Sequence, residues 1–196
     1  MYRFYLAAVD MLPAALILIP FFFIFNRIFF RSTRKFILYY LFACYLAAVS
    51  VLVGLPNVTY IRPELNLNLI PITGIIDDWR NGFLNILLFV PLGVMLPLLW
   101  NKFRNCKHTV LFGFTLSLTI ELLQILTYRA TDINDLITNT LGTYIGYLCA
   151  ASVQRKSHFS GESNTFELSI VLVTVLLTMF FVYPFVSAVL WDLILQ

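Results

Sequence analysis

The chain has 196 residues, 60% of them hydrophobic and 12% charged, with a formal net charge of +3. That balance excludes an ordinary soluble domain and points to an all-α, polytopic membrane bundle; the small charge carries no nucleic-acid signature. At about 20 residues per span there is room for five or six crossings, expected as one integral membrane domain over 1–196 with no separate soluble part.

The first apolar run, 9–29, is longer than a signal-peptide core and lacks a basic lead and a small-residue cleavage site, so it is expected to be retained. Pro13 and Pro20 are expected to kink it or to sit near its ends. Asp10, at its edge, reads as a helix-start carboxylate favoured by the dipole. Arg27, Arg31, Arg34 and Lys35 follow as a basic loop, which belongs in the cytoplasm and puts the N-terminus outside. The second run, 36–55, has no charge and reads as packing.

A longer connection follows over 56–82. Its LNLNLIPITG segment reads as a short strand, an interfacial segment or a shallow re-entrant turn, and its length makes it a candidate lid. In the third run, 83–100, Asn85, Phe89 and Gly93 recur on one face, and Pro91 frees a carbonyl one turn earlier, which favours a kinked, packed helix. Taken alone, Asn85 is interhelical glue. Lys102, Arg104 and Lys107 form a second basic loop, and Arg155 and Lys156 a third after the fifth run, 132–153. With a sixth run at about 168–191, basic loops alternate with neutral or acidic ones, giving about six spans with both termini outside. Cys44, Cys106 and Cys149 have no CxxC spacing, so neither a zinc site nor a disulfide framework is expected.

The costly groups concentrate from Ser117 to Gly146, where the fourth and fifth runs meet across a polar turn carrying Glu121, Gln124, Arg129, Asp132, Asp135 and Asn139. A carboxylate at mid-bilayer costs roughly 2.5–3.5 kcal/mol on insertion scales, so such residues face an interior or a water-filled cavity. Ser117, Glu121, Gln124 and Tyr128 share one helix face, and Asp132, Asp135, Asn139, Gly142 and Gly146 share another. A short turn makes the two helices antiparallel neighbours, so the stripes can face each other, in the outer half of the membrane by the loop charges.

Two readings of this cluster stand side by side. In the structural one, Asp132 caps the fifth helix with Asp135 at the capping-box position, Arg129 pairs with them, and Gly142 and Gly146 let helices approach closely. In the functional one, Glu121 is a general acid or base, Arg129 grips a phosphate or carboxylate, and Asp132 and Asp135 with Asn139 offer oxygen ligands to a divalent cation. Three carboxylates against one arginine favour a bound proton, cation or ligand. At an effective dielectric near 20, two carboxylates about 4 Å apart repel by roughly 4 kcal/mol.

The segments NILLFVPLG (Asn85–Gly93), Glu121 with Gln124, and RATDINDLITNTLG (Arg129, Asp132, Asp135, Asn139 and Gly142) resemble the VanZ family, and Asn68 to Pro71 is similar to its NLIP segment. Ile72 stands where the family usually has phenylalanine. The resemblance covers about 66–146 and marks a core over about 66–150, to which an N-terminal helix pair and a C-terminal helix are added. It implies a multi-pass protein of the bacterial plasma membrane, contributing to resistance to lipid-bearing glycopeptides such as teicoplanin. No mechanism comes with it. The expected partners are a membrane lipid, a lipid-linked cell-wall precursor or the antibiotic itself; an oligomer is compatible with the small-residue steps. An enzyme modifying a lipid or precursor head group is the alternative, whereas a transporter finds no inverted repeat.

Overall fold

The structure, a computed structural model, describes residues 2–63, 67–68, 79–127, 131–156 and 165–195. Its elements are α1 (Tyr2–Phe25), α2 (Thr33–Leu52), β1 (Leu67–Asn68), α3 (Trp79–Leu99), α4 (Cys106–Gln124), β2 (Thr131–Asp132), α5 (Ile133–Lys156), α6 (Phe166–Leu177) and α7 (Tyr183–Leu195). They group into two compact units, Met1–Ile61 with Phe166–Gln196, and Arg62–Thr165. The protein is an all-α membrane bundle. Among the described residues, Asp10–Phe30, Thr33–Leu52, Trp79–Leu99, Cys106–Gln124 and Phe166–Leu193 are long and apolar enough to cross a membrane. The run counted in sequence as the fifth span forms α5, 24 residues long but less apolar than the others because Asn134, Thr138, Asn139 and Thr143 lie along it. Those four are buried among neighbouring helices rather than turned to lipid.

In the first unit, α1 runs through both prolines, so Pro13 and Pro20 lie inside the helix rather than at its ends. A π turn, Asn26–Phe30, then ends it. Asn26 makes this stop: its carbonyl accepts Arg31 N–H at 2.8 Å and its side-chain Oδ1 accepts Ser32 N–H at 3.1 Å, with Arg31 in the left-handed region at φ 48°. Gly54, at φ 63°, plays the C-terminal part for α2, where a residue without Cβ takes the left-handed position freely. A second π turn, Thr178–Val182, joins α6 to α7 and precedes Pro184. Proline has no N–H to give to the carbonyl four residues back, at Phe180. Val58 N–H fills that place at 3.0 Å.

Two polar clamps tie the last span to the first two. Glu167, buried at the start of α6, accepts from Lys35 Nζ at 2.9 Å and from Tyr39 OH at 2.6 Å. Trp191 Nε1 donates to Asp10 Oδ1 at 2.7 Å. Asp10 therefore lies well inside α1, holding an indole, and does not complement a helix start.

In the second unit, glycine sets the distance between helices. A Cβ at Gly142 would strike the carbonyl of Ile86, one at Gly146 the carbonyl of Val90, and one at Gly93 the carbonyl of Thr143, so α3 and α5 meet backbone to backbone. Because 142 faces 86 and 146 faces 90, these two helices run parallel. Helix α4 instead meets α5 antiparallel, with Gly113 against the Thr143 side chain and Ser117 bonded to Asn139. Asn105 caps α4 by accepting Lys107 N–H at 2.9 Å. The long connection touches the turn between them: Leu67 and Asn68 pair in parallel with Thr131 and Asp132, and Arg62 N–H donates to Leu126 O at 2.8 Å. Of the three sequence readings of LNLNLIPITG, the short strand is realised at Leu67–Asn68; within the candidate lid, 56–82, residues 64–66 and 69–78 lie outside the described residues.

Candidate functional site

The polar cluster assembles where α4 ends and α5 begins. Glu121, in the last turn of α4, is only 3% exposed. Its Oε2 accepts the backbone N–H of Asp132 at 2.9 Å, and its carbonyl accepts Thr131 Oγ1 at 3.0 Å. A carboxylate at a helix C-terminus opposes that helix's dipole, but here the side chain reaches the positive end of α5. Asp132 then caps α5, its Oδ1 accepting both Asn134 N–H and Asn134 Nδ2 at 2.8 Å. Two carboxylates thus serve one helix start.

One turn deeper, Asn139 is 3% exposed and donates through Nδ2 to Ser117 Oγ at 2.9 Å. Its Oδ1 is buried with no hydrogen-bond partner among the described residues. Nine in ten or more buried polar groups are satisfied, so an open acceptor here needs an occupant or an explanation. Gln124 is buried at the end of α4, and its carbonyl accepts Thr127 N–H at 2.9 Å. Asp135 is half-buried in the first turn of α5, with its carbonyl accepting Thr138 Oγ1 at 3.2 Å.

Not every sequence candidate joins the group. Asn85 is half-buried on α3, with no hydrogen bond to the others among the described residues, and Arg129 lies outside the described residues. Pro91 lies exposed within α3, while Gly93, Gly142 and Gly146 are the contact points between α3 and α5. Among the described residues no group of three or more His, Cys, Asp or Glu is placed to hold a metal ion.

Sequence reasoning passed over Asn134, Thr138 and Thr143, each at most 4% exposed. The two threonine hydroxyls turn inward onto carbonyls one turn earlier, Thr138 Oγ1 to Asn134 O at 2.8 Å and Thr143 Oγ1 to Asn139 O at 3.0 Å. The available signal was the spacing: 134, 138 and 142 run beside 135, 139 and 143 on one face. Capping predicts a modest effect. Asp132→Ala should lower stability by about 1 kcal/mol, whereas Asp132→Asn, which keeps an oxygen acceptor, should stay close to the parent. Thermal unfolding in detergent reads the difference.

The VanZ/LLP1 family model matches residues 36–154, more than half of the chain. The chain belongs to the VanZ/LLP1 family. The match takes in α3, α4 and all but the last two residues of α5, and begins within α2, well upstream of the motif-bearing stretch. A curated VanZ/LLP1 relative, Protein VanZ of Enterococcus faecium, is 38% identical over 86 residues, which is 42% of this chain and 51% of that protein. The chain thus spans about half the length of the curated relative it matches. No solved structure matches.

Proposed function

We propose that this VanZ/LLP1 protein acts in the bacterial plasma membrane to lower susceptibility to lipid-bearing glycopeptides, binding a lipid-linked precursor or other amphiphile at the α4–α5 end of its core. The observation that carries this reading is the convergence of buried polar groups there, with Asn139 Oδ1 still open. An amide or hydroxyl donor on the ligand would satisfy it, and the apolar helix faces around it suit the lipid part. The distribution of Lys and Arg supports placing this end on the outer side of the membrane, where such drugs arrive.

The test compares wild type, Glu121→Gln and Asp135→Asn in a bacterium challenged with teicoplanin and with vancomycin, at matched membrane levels. Glutamine at 121 keeps an oxygen for Asp132 N–H and removes only the charge, so the fold should survive. Selective protection by wild type against teicoplanin, lost in both variants, is the expected result. Protection that persists in both variants would make the cluster scaffolding.

A further inference from the structure

The end of the core opposite the polar cluster carries charge of one sign. A short turn, 100–105, joins α3 to α4, and Lys102, Arg104 and, just inside α4, Lys107 all stand exposed there. Helix α5 ends at the same level: Gln154 Nε2 donates to Pro97 O at 2.6 Å, and Arg155 and Lys156 come next in the chain. No Asp or Glu occurs at 79–120 or at 136–161. The positive end of the α4 dipole adds to this charge.

Side chains from two helices hold the turn in shape. His108 Nδ1 donates to Lys102 O at 3.1 Å, Thr109 Oγ1 to Phe103 O, and Tyr147 OH, reaching across from α5, to Arg104 O at 2.9 Å. Beneath them Trp100 and Phe103 are buried, and the Phe103 ring lies 5.3 Å from that of Phe112 on α4. The bonded carbonyls include those of Lys102 and Arg104 themselves. The backbone that displays these cations is therefore fixed before anything binds, which lowers the ordering cost of binding.

Depth selects the occupant. Trp79–Leu99 and Cys106–Gln124 are both long and apolar enough to cross a membrane, so the turn between them lies in the polar layer at one edge of the hydrocarbon. That layer is roughly 5–8 Å thick and holds the lipid phosphates. A soluble anion must come in from the water, whereas an anionic lipid of that leaflet is already level with the turn. Lys and Arg clustered directly beside a span attract such lipids, by about five-fold for each residue near the surface.

We propose that this turn is a binding site for a phospholipid with an anionic head group, its phosphate held by Lys102, Arg104 and Lys107. Tyr147 is a positioning residue, acting through the Arg104 carbonyl. The site lies at the far end of the core from the α4–α5 cluster, and its occupancy does not depend on the function proposed for that cluster.

The experiment uses the full chain reconstituted in phosphatidylcholine vesicles with a trace of spin-labelled phosphatidylglycerol or spin-labelled phosphatidylcholine. The motionally restricted fraction gives relative association. Wild type should prefer phosphatidylglycerol about five-fold or more, and salt should weaken the preference. Lys102→Gln, Arg104→Gln and Lys107→Gln together should abolish it while leaving the restricted phosphatidylcholine fraction unchanged, which also reports an intact fold. Arg27→Gln with Arg31→Gln removes charge from another exposed basic stretch and should keep most of the preference. Tyr147→Phe retains every charge but releases the Arg104 carbonyl; it should lower the preference about two-fold or more, the low end of what ordering one side chain costs on binding. Equal association of the two lipids with wild type would overturn the site. So would equal losses from the two sets of charge substitutions, which would make the preference a matter of net charge, or a Tyr147→Phe variant that keeps the full preference.

Discussion

Replacing Gly146 by valine should strongly destabilise the core at the α3–α5 contact. The added Cβ would collide with the carbonyl of Val90 and lie 2.9 Å from Gly93 Cα, both backbone atoms that no side-chain rotation can move. Overpacking typically costs about 1–3 kcal/mol, and a backbone obstacle places this variant at about 3 kcal/mol. For a chain of this size that corresponds to a fall of about 6–12 °C in unfolding temperature, measured in detergent by scanning calorimetry or tryptophan fluorescence. Ile145→Val is the control, on the same helix but 37% exposed, where one methylene is removed and nothing is added. It should lose clearly less. If the two variants melt together, the close approach of α3 and α5 does not limit stability.

That contact shows which parts of the fold were legible in the sequence. Apolar runs of span length announce themselves because lipid requires every backbone polar group to be satisfied within the helix, so the elements were readable one by one. Pairing is another matter. The small residues at 93, 142 and 146 were visible, but nothing in their spacing says that α5 lies against α3 through its glycines, whereas its antiparallel pairing with α4, Asn139 against Ser117, was readable from the short turn and the facing polar stripes. The second π turn depends on Pro184 and on Val58, more than a hundred residues away, and no local window joins them. In the polar cluster, the carboxylates drew attention because charge is costly in apolar surroundings. Asn134, Thr138 and Thr143 did not, because threonine can satisfy its hydroxyl on its own helix and so looks ordinary in sequence. Asp10 misled for a related reason: its partner, Trp191, is nearly the whole chain away.

Glu167→Ala should lose about 3 kcal/mol, the low end of what breaking a buried ion pair costs. The low end applies because the Glu167 side chain is 8% exposed but that of Lys35 is 22% exposed, so water takes back part of the lysine's charge. The variant removes the acceptor for Lys35 Nζ at 2.9 and 3.2 Å and for Tyr39 OH at 2.6 Å, and loosens the start of α6. The sign of a second substitution then separates charge from packing. If the cost comes from stranding a positive charge, Lys35→Met on the Glu167→Ala background should restore stability, because an apolar pair of similar volume in place of a buried ion pair is often neutral or stabilising. If it comes from lost packing around α6, the double variant should be worse than either single one. Unfolding midpoints of the four proteins, taken as a double-mutant cycle, decide between them. The stranded-charge account requires the double variant to melt above Glu167→Ala; a lower midpoint assigns the clamp to shape alone.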